Sequence, residues 1–353
     1  MATLTIGQGI QSALSHFALY GLALLCDEQW PGEVRIRWTE ERESKAELSI
    51  PNVSEAEVAD LLLAYARKLS EPNAWPQIRK FYGSEKSRAE RAPFSPRFKP
   101  IDHVANTDDW RDHQAFRLRA LDACIQTADF VSLQWIVGLG EAAYWRCDLK
   151  NKRPDEGASR WEMKTRNKGE EFVKDRLGPM VKELSTWSNA KVLEGITGRS
   201  IDDSLGKQKL DSRTSTGLTS PAPTDVALAF AGLLGIALFP LAHNTSGLSI
   251  TPCAWRTSDL HPRKIVLPIP TEPLSLGRIR NILTSEAMAT MVEHYGSEGL
   301  NTDTSETFDV TVDASTTWLR ARGITACSVF PILKAGSDSA PERQIQRGQV
   351  KLL

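Results

Sequence analysis

Cysteine is scarce in this sequence, and no two of its five cysteines (Cys26, Cys124, Cys147, Cys253 and Cys327) lie close together. An odd, scattered set excludes a disulfide framework, offers no metal-type spacing and suits buried thiols in a reducing cytoplasm. An excess of charge of either sign is missing as well. With 43 Lys and Arg against 44 Asp and Glu, no global field points to a nucleic-acid or membrane partner. Long apolar runs are absent except for the 17 residues from Val226 to Ala242, which hold Gly232, Gly235 and Pro240. That length is the lower limit for a membrane span, and the run reads as a buried helix leading into a short strand. No basic segment precedes the first apolar stretch, which argues against a secretory leader. A cytoplasmic protein without a membrane partner is expected.

The familiar catalytic signatures are missing too. Between Gly198 and Gly206-Lys207 stand seven residues where a phosphate loop has four, and Gln208 occupies the magnesium-binding Ser/Thr position. There is no GxSxG elbow. The six histidines are isolated from one another, so no zinc pattern arises. No cofactor is expected. Asp109, Asp112 and His113 are close in sequence, as one turn of a surface helix would place them.

What is present is a globular composition, 41% apolar and 25% charged over 353 residues, enough for two ordinary domains or one with large insertions. An α+β fold is expected. Its first unit, residues 1–70, reads as strand, helix, strand, strand, helix. Thr3–Ile6 alternate, and Ile10 to Leu25 carry one apolar helical face. Val34, Ile36 and Trp38 share one side of a strand, and Ala46–Ile50 pairs with it. Ser54 with Glu57 forms a capping box for the helix of Val58, Leu61, Leu62, Tyr65 and Leu69. Acids outnumber bases here, so this surface is a poor phosphate binder.

Residues 71–109 form a basic arm. From Arg67 to Lys99 nine bases face three acids, among five aromatics and several prolines that exclude a long helix. Such a stretch suits a phosphate-tracking, base-stacking surface, or equally a linker whose aromatics tuck into the core. Residues 110–222 form a helical region with basic loops. Within it, Trp161–Gly169 reads as a short strand and basic turn before a helix with Phe172, Val173 and Leu177 inside, broken at Gly178-Pro179, where a second helix begins at the proline. Gly206–Leu218 reads as a long exposed loop. Residues 223–353 are mixed α/β: a helix capped by Thr224, strands at Leu248–Ala254 and Lys264–Pro270, helices near 274–283, 285–295 and 314–322, then strands at Ile324–Leu333 and in the tail. Residues 281–313 carry seven acids and no Lys or Arg.

One constellation has catalytic letters. Pro154-Asp155 followed by Glu162-Met-Lys164 matches the order of a PD…ExK metal nuclease, in which two carboxylates hold a divalent ion and the lysine sits near the attacked phosphate. Only six residues separate Asp155 from Glu162, tight for the turn that would bring them together.

Several pieces in chain order carry a family likeness: Ser12–Leu25, Lys164–Phe172, Arg213–Leu218, Pro223–Phe230 with Gly235–Pro240, Arg322–Ala326 and Ala340–Arg343. In these the chain resembles the large subunits of type I CRISPR effector complexes (Cascade), in the compact form of the subtype called I-G or I-U. The resemblance implies a non-catalytic subunit docked on CRISPR backbone subunits and crRNA. Such a subunit reads a protospacer-adjacent motif in target double-stranded DNA, separates the strands, guides the displaced strand and recruits a helicase-nuclease, while guide pairing supplies most of the specificity. Under it, Lys164, Arg166, Asn167 and Lys168 are expected on the target duplex, with Asn167 at a base edge. Lys207, Lys209 and Arg213 are expected to hold a DNA strand. Arg79, Lys80, Arg88 and Arg91 are expected on nucleic acid or a neighbouring subunit. Ten tryptophans would anchor interfaces as well as core.

Overall fold

The computed structural model describes residues 2–83, 89–97, 107–143, 145, 154–163, 171–212, 216–257, 259–298, 309–337 and 340–353. The fold is α+β, as its composition and patterning predict. The first unit has the expected order: β1 (Ala2–Thr5), α1 (Ala13–Gln29), β2 (Arg35–Trp38), β3 (Ala46–Ile50) and α2 (Glu55–Ser70). Its strands form an antiparallel sheet in the order β1-β3-β2. The capping box forms at both ends: Ser54 Oγ accepts from Glu57 N–H at 3.2 Å, and Glu57 accepts from Ser54 N–H at 2.7 Å.

Helix α1 differs from its predicted amphipathic form. Every residue from Ala13 to Cys26 is buried, because the C-terminal half of the chain wraps around it. The arm makes a short hairpin, β4 (Lys80–Tyr82) with β5 (Ala89–Arg91), and leads to α3 (Thr107–Gln126) and α4 (Phe130–Leu139). A π-helical turn, Val173–Leu177, then runs directly into α5 (Gly178–Ser185), followed by α6 (Asn189–Thr197). A second helix begins at Gly178-Pro179 as expected, but the chain enters it without the expected break. The widened turn bonds Gly178 N–H to Val173 O, and the proline falls in the first turn of α5, where its missing N–H costs little.

Helix α7 (Val226–Leu234) continues as a 3-10 turn, Gly235–Leu238, and not as a strand. Its cap is Asp225, not Thr224: the carboxylate accepts from Ala227 N–H at 2.8 Å and Leu228 N–H at 3.2 Å. No helix among the described residues is long and apolar enough to cross a membrane.

The expected strand at 248–254 shrinks to β6 (Ala254–Trp255), with only an isolated bridge from Ala242 to Ile250 before it. Next come β7 (Lys264–Pro270), α8 (Leu276–Leu283), α9 (Glu286–Ser297), α10 (Val310–Arg320), β8 (Ile324–Ser337), β9 (Ala340–Ile345) and β10 (Gln349–Leu352). They build a second antiparallel sheet in the order β10-β8-β7-β6, with β9 paired to the far half of β8. A continuous hydrophobic core runs from Leu4 in the first sheet to Ile345 in β9. Six of the tryptophans, Trp38, Trp75, Trp135, Trp161, Trp187 and Trp255, are buried in it.

Candidate nucleic-acid interface

The end of the arm and the start of the 164–168 block meet at one buried residue, Glu162. Arg97, 1% exposed at the end of the arm, pairs through Nε with the carboxylate of Glu162. The same guanidinium donates to Ser159 O at 2.7 Å and to Glu162 O at 3.3 Å. From the opposite side Arg343, on β9, donates to Glu162 O at 3.0 Å. Met163, the next residue, backs on Gly217, where an added Cβ would come within 2.7 Å of Met163 Cβ. Gly217 has φ +74°, and its carbonyl accepts from Ile345 N–H at 3.0 Å. The arm therefore ends beside Glu162, two residues before the 164–168 block, and Gly217, beyond the 207–213 block, backs on the adjacent Met163. A buried carboxylate held by a guanidinium, with its own carbonyl also bonded, fixes the chain firmly at this point.

This arrangement gives Glu162 a different partner from the one its motif predicts. Trp161 and Met163 are both fully buried, and the described part of the expected strand is a turn. Two arginine side chains, not a neighbouring strand, satisfy the Glu162 backbone oxygen. Asp155 lies in a 3-10 turn, Pro154–Gly157. Among the described residues no three His, Cys, Asp or Glu side chains gather as a metal site.

The individual cations separate into distinct groups. Lys164, Arg166, Asn167 and Lys168 lie outside the described residues, as do Arg213 and Arg88. Lys207 and Lys209 are exposed on a turn that is far more ordered than the long loop predicted. Asp203 caps the Ser204–Gly206 turn through Gly206 N–H, and Gln208 N–H returns to Asp203 O at 3.1 Å. The Gln208 amide donates to Asp202 at 2.9 Å, and Lys191 pairs with Asp202 at 2.6 Å. Lys207 and Gln208 both adopt left-handed backbone, φ +58° and +54°. This hydroxyl- and amide-rich stretch is folded by local polar bonds, which apolar periodicity does not register.

In the arm, Arg79 and Lys80 direct their charge inward. Arg79 caps the carbonyls of Pro76 and Ile78 at 3.0 and 2.8 Å. Lys80 pairs with Asp112 at 2.6 Å and stands over the rings of Tyr82 and Phe116. Arg91 is half-buried in β5. The stacking platform does not form from the described aromatics: Trp75, Tyr82 and Phe94 are buried, Trp75 lying against Trp135 and Phe94, and only Phe81 is largely exposed. Of the two readings open for the arm, the aromatics follow the one in which they pack into the core.

Behind the hairpin, Tyr82 Oη lies 2.8 Å from His113 Nδ1. Burial first, then Arg117 and Lys80, hold the His113 imidazole down to about 3. Asp109 and Asp112 remain on the surface of α3, with Asp112 serving as the Lys80 partner. Arg97 and Arg343 are the structural residues that sequence reasoning misses, since an arginine that ties down a buried carbonyl sits in no pattern distinct from its solvated neighbours.

Compared with protein-family models, with curated proteins and with solved structures, the chain has no match.

Proposed function

We propose that this chain is the non-catalytic large subunit of a type I CRISPR crRNA-guided surveillance complex. In this reading it is a cytoplasmic protein that docks on backbone subunits and crRNA and engages target double-stranded DNA. It reads the protospacer-adjacent motif, separates the strands, stabilises the R-loop and recruits a helicase-nuclease. The observation that supports the reading is that the arm's end at Arg97 and the residue before the 164–168 block, Met163, are fixed beside Glu162, with Gly217 backing on Met163. Basic chain anchored at one place, on a protein of near-zero net charge, suits a local grip on phosphates and not a long-range attraction for any polyanion. The ordered turn presenting Lys207 and Lys209 supports strand contact of the same kind.

The test is co-expression with the genomic neighbours and purification through this chain. Recovery of repeated backbone subunits with a uniform small guide RNA is the expected outcome. A chain that purifies alone, without RNA, and that cleaves DNA when magnesium is added would overturn the proposal.

A further inference from the structure

A cationic recess lies outside every one of the basic segments. It is a cleft of about 440 Å3 between the β2–β3 turn, the start of α1, residues 218–220 and residues 345–347. Arg42 and Lys45 enter it from the turn and Arg347 from the tail. Neither Arg42 nor Lys45 has a salt-bridge or hydrogen-bond partner for its side chain among the described residues, and Arg347 donates to the neutral amide of Gln11. Among the described residues of the wall Glu43 is the single acid, so the described lining is net positive. The remaining described wall is rich in hydroxyl and amide groups, including Thr219 and Ser220, with no aromatic ring among the described residues.

Each feature narrows the ligand. Three cations from two distant parts of the chain converge where one carboxylate cannot balance them, which favours a ligand with negative charge. Guanidinium and hydroxyl donors side by side match tetrahedral oxyanions. Without a ring to stack on, the walls suit a sugar-phosphate backbone and not a base. The volume lies within the range of small-ligand sites. Its floor adjoins the Gly217 that backs on Met163, because Leu218 follows Gly217 and Ile345 bonds to it.

We propose that this cleft is a backbone-phosphate seat, where Arg42, Lys45 and Arg347 hold one phosphodiester of a single-stranded nucleic acid independently of its sequence. The inference rests on the nucleic-acid reading above and adds a grip outside its basic loops. The strand is the displaced DNA or the guide RNA, which share this chemistry.

The experiment is fluorescence anisotropy of the purified full chain with labelled short oligothymidylate and oligouridylate across a salt series. The variants are Arg42→Gln/Lys45→Gln, Arg347→Gln, and separately Lys207→Glu/Lys209→Glu. The cleft side chains lie on turns, so circular dichroism of each variant should match the parent. Arg42→Gln/Lys45→Gln is expected to weaken binding about tenfold and to lower the salt slope by roughly 0.7, the value for one phosphate of a single strand. Inorganic pyrophosphate is expected to compete with the parent and not with this variant. Preference for oligothymidylate assigns the DNA strand, and preference for oligouridylate the guide. Cleft variants that bind like the parent, while Lys207→Glu/Lys209→Glu weakens binding, would overturn the seat and leave the nucleic-acid reading standing. A parent chain that binds neither strand would remove both.

Discussion

The Arg97 guanidinium and the Glu162 carboxylate form an ion pair closed off from solvent, with side chains 1% and 3% exposed. Desolvating both groups is costly, and only the complete pair with its added carbonyl bonds offsets that cost. Removing one member leaves a buried charge with no counter-ion. Glu162→Gln is expected to lower the unfolding free energy by about 3–5 kcal/mol, measured by urea denaturation. Arg97→Met/Glu162→Met is expected to recover much of that stability. The Glu162→Gln variant also separates the two meanings of Glu162: a metal-nuclease carboxylate changed to Gln would abolish magnesium-dependent cleavage with little effect on the denaturation midpoint.

Buried histidines make the fold acid-sensitive. His16 lies between Trp38 and Phe330, with ring centroids 4.2 and 5.3 Å away, and Nε2–H donates to Ile10 O at 2.9 Å. Burial holds its imidazole down from 6.5 to about 4, and that of His113 to about 3. The folded chain therefore stays neutral at both rings while the unfolded chain takes up protons below 6.5. Stability is fully present above pH 6.5 and falls as pH drops toward 4, by about 1.4 kcal/mol per pH unit for each histidine. Urea midpoints between pH 7 and 4 read this slope. His16→Asn should remove one histidine's share of it, whatever its absolute cost. An unchanged slope would mean that His16 titrates normally in the fold.

Glycine has opposite consequences in two helices. A Cβ at Gly21 in α1 would collide with the carbonyl oxygen of Ala231 in α7, and one at Gly235 would collide with that of Phe17. The two backbones meet with no side chain between them, and neither can retreat within a close-packed core. Gly21→Ala is expected to destabilise by about 1–3 kcal/mol or more. At Gly277, in α8, a Cβ meets nothing within 4 Å. Gly277→Ala should stabilise by about 0.4–1 kcal/mol through the unfolded chain. Thermal melting of the two variants in parallel checks the contrast.

Period and capping made the first unit readable: the alternation in Ile36 and Trp38, the apolar register of α2 and the Ser54–Glu57 box all describe local structure that forms as predicted. The same logic found β7, α8 and α9. It failed where long-range packing decides. Helix α1 is buried on every side because α7 and the 3-10 turn Gly235–Leu238 pack on it, while the sequence pattern shows only one apolar face. The chain from Gly178 keeps its helix because a π turn accommodates Pro179, a register that residue preferences do not reveal. At the candidate interface, charge counting located the basic segments but not the Arg97–Glu162 pair beside them. Arg79, Lys80 and Arg97 have the same letters as solvated cations, yet their charges are engaged by carbonyls and carboxylates of the fold, for Arg97 deep inside it. For Lys80 and Arg97 only packing against residues far apart in sequence makes the difference.

Lys207 and Lys209 remain the described basic-loop cations displayed on an ordered turn without an ion-pair partner. Lys207 adopts a left-handed conformation, φ +58°, which a lysine tolerates poorly and a glycine readily. Lys207→Gly therefore removes the charge without straining the turn, and its melting temperature should equal or exceed that of the parent. If this turn grips a DNA strand, Lys207→Gly/Lys209→Gln weakens target binding by the assembled complex. The slope of log affinity against log salt should fall by roughly 0.7–0.9 for each phosphate released. The weakening should be the same for all target sequences, since a lysine on a phosphate carries no base information. An effect that varied with the motif sequence would move these lysines from the backbone to a base edge. Affinity and salt slope equal to those of the parent would take the turn out of the DNA path, leaving the blocks rooted at Met163 and Arg97 to grip the strand.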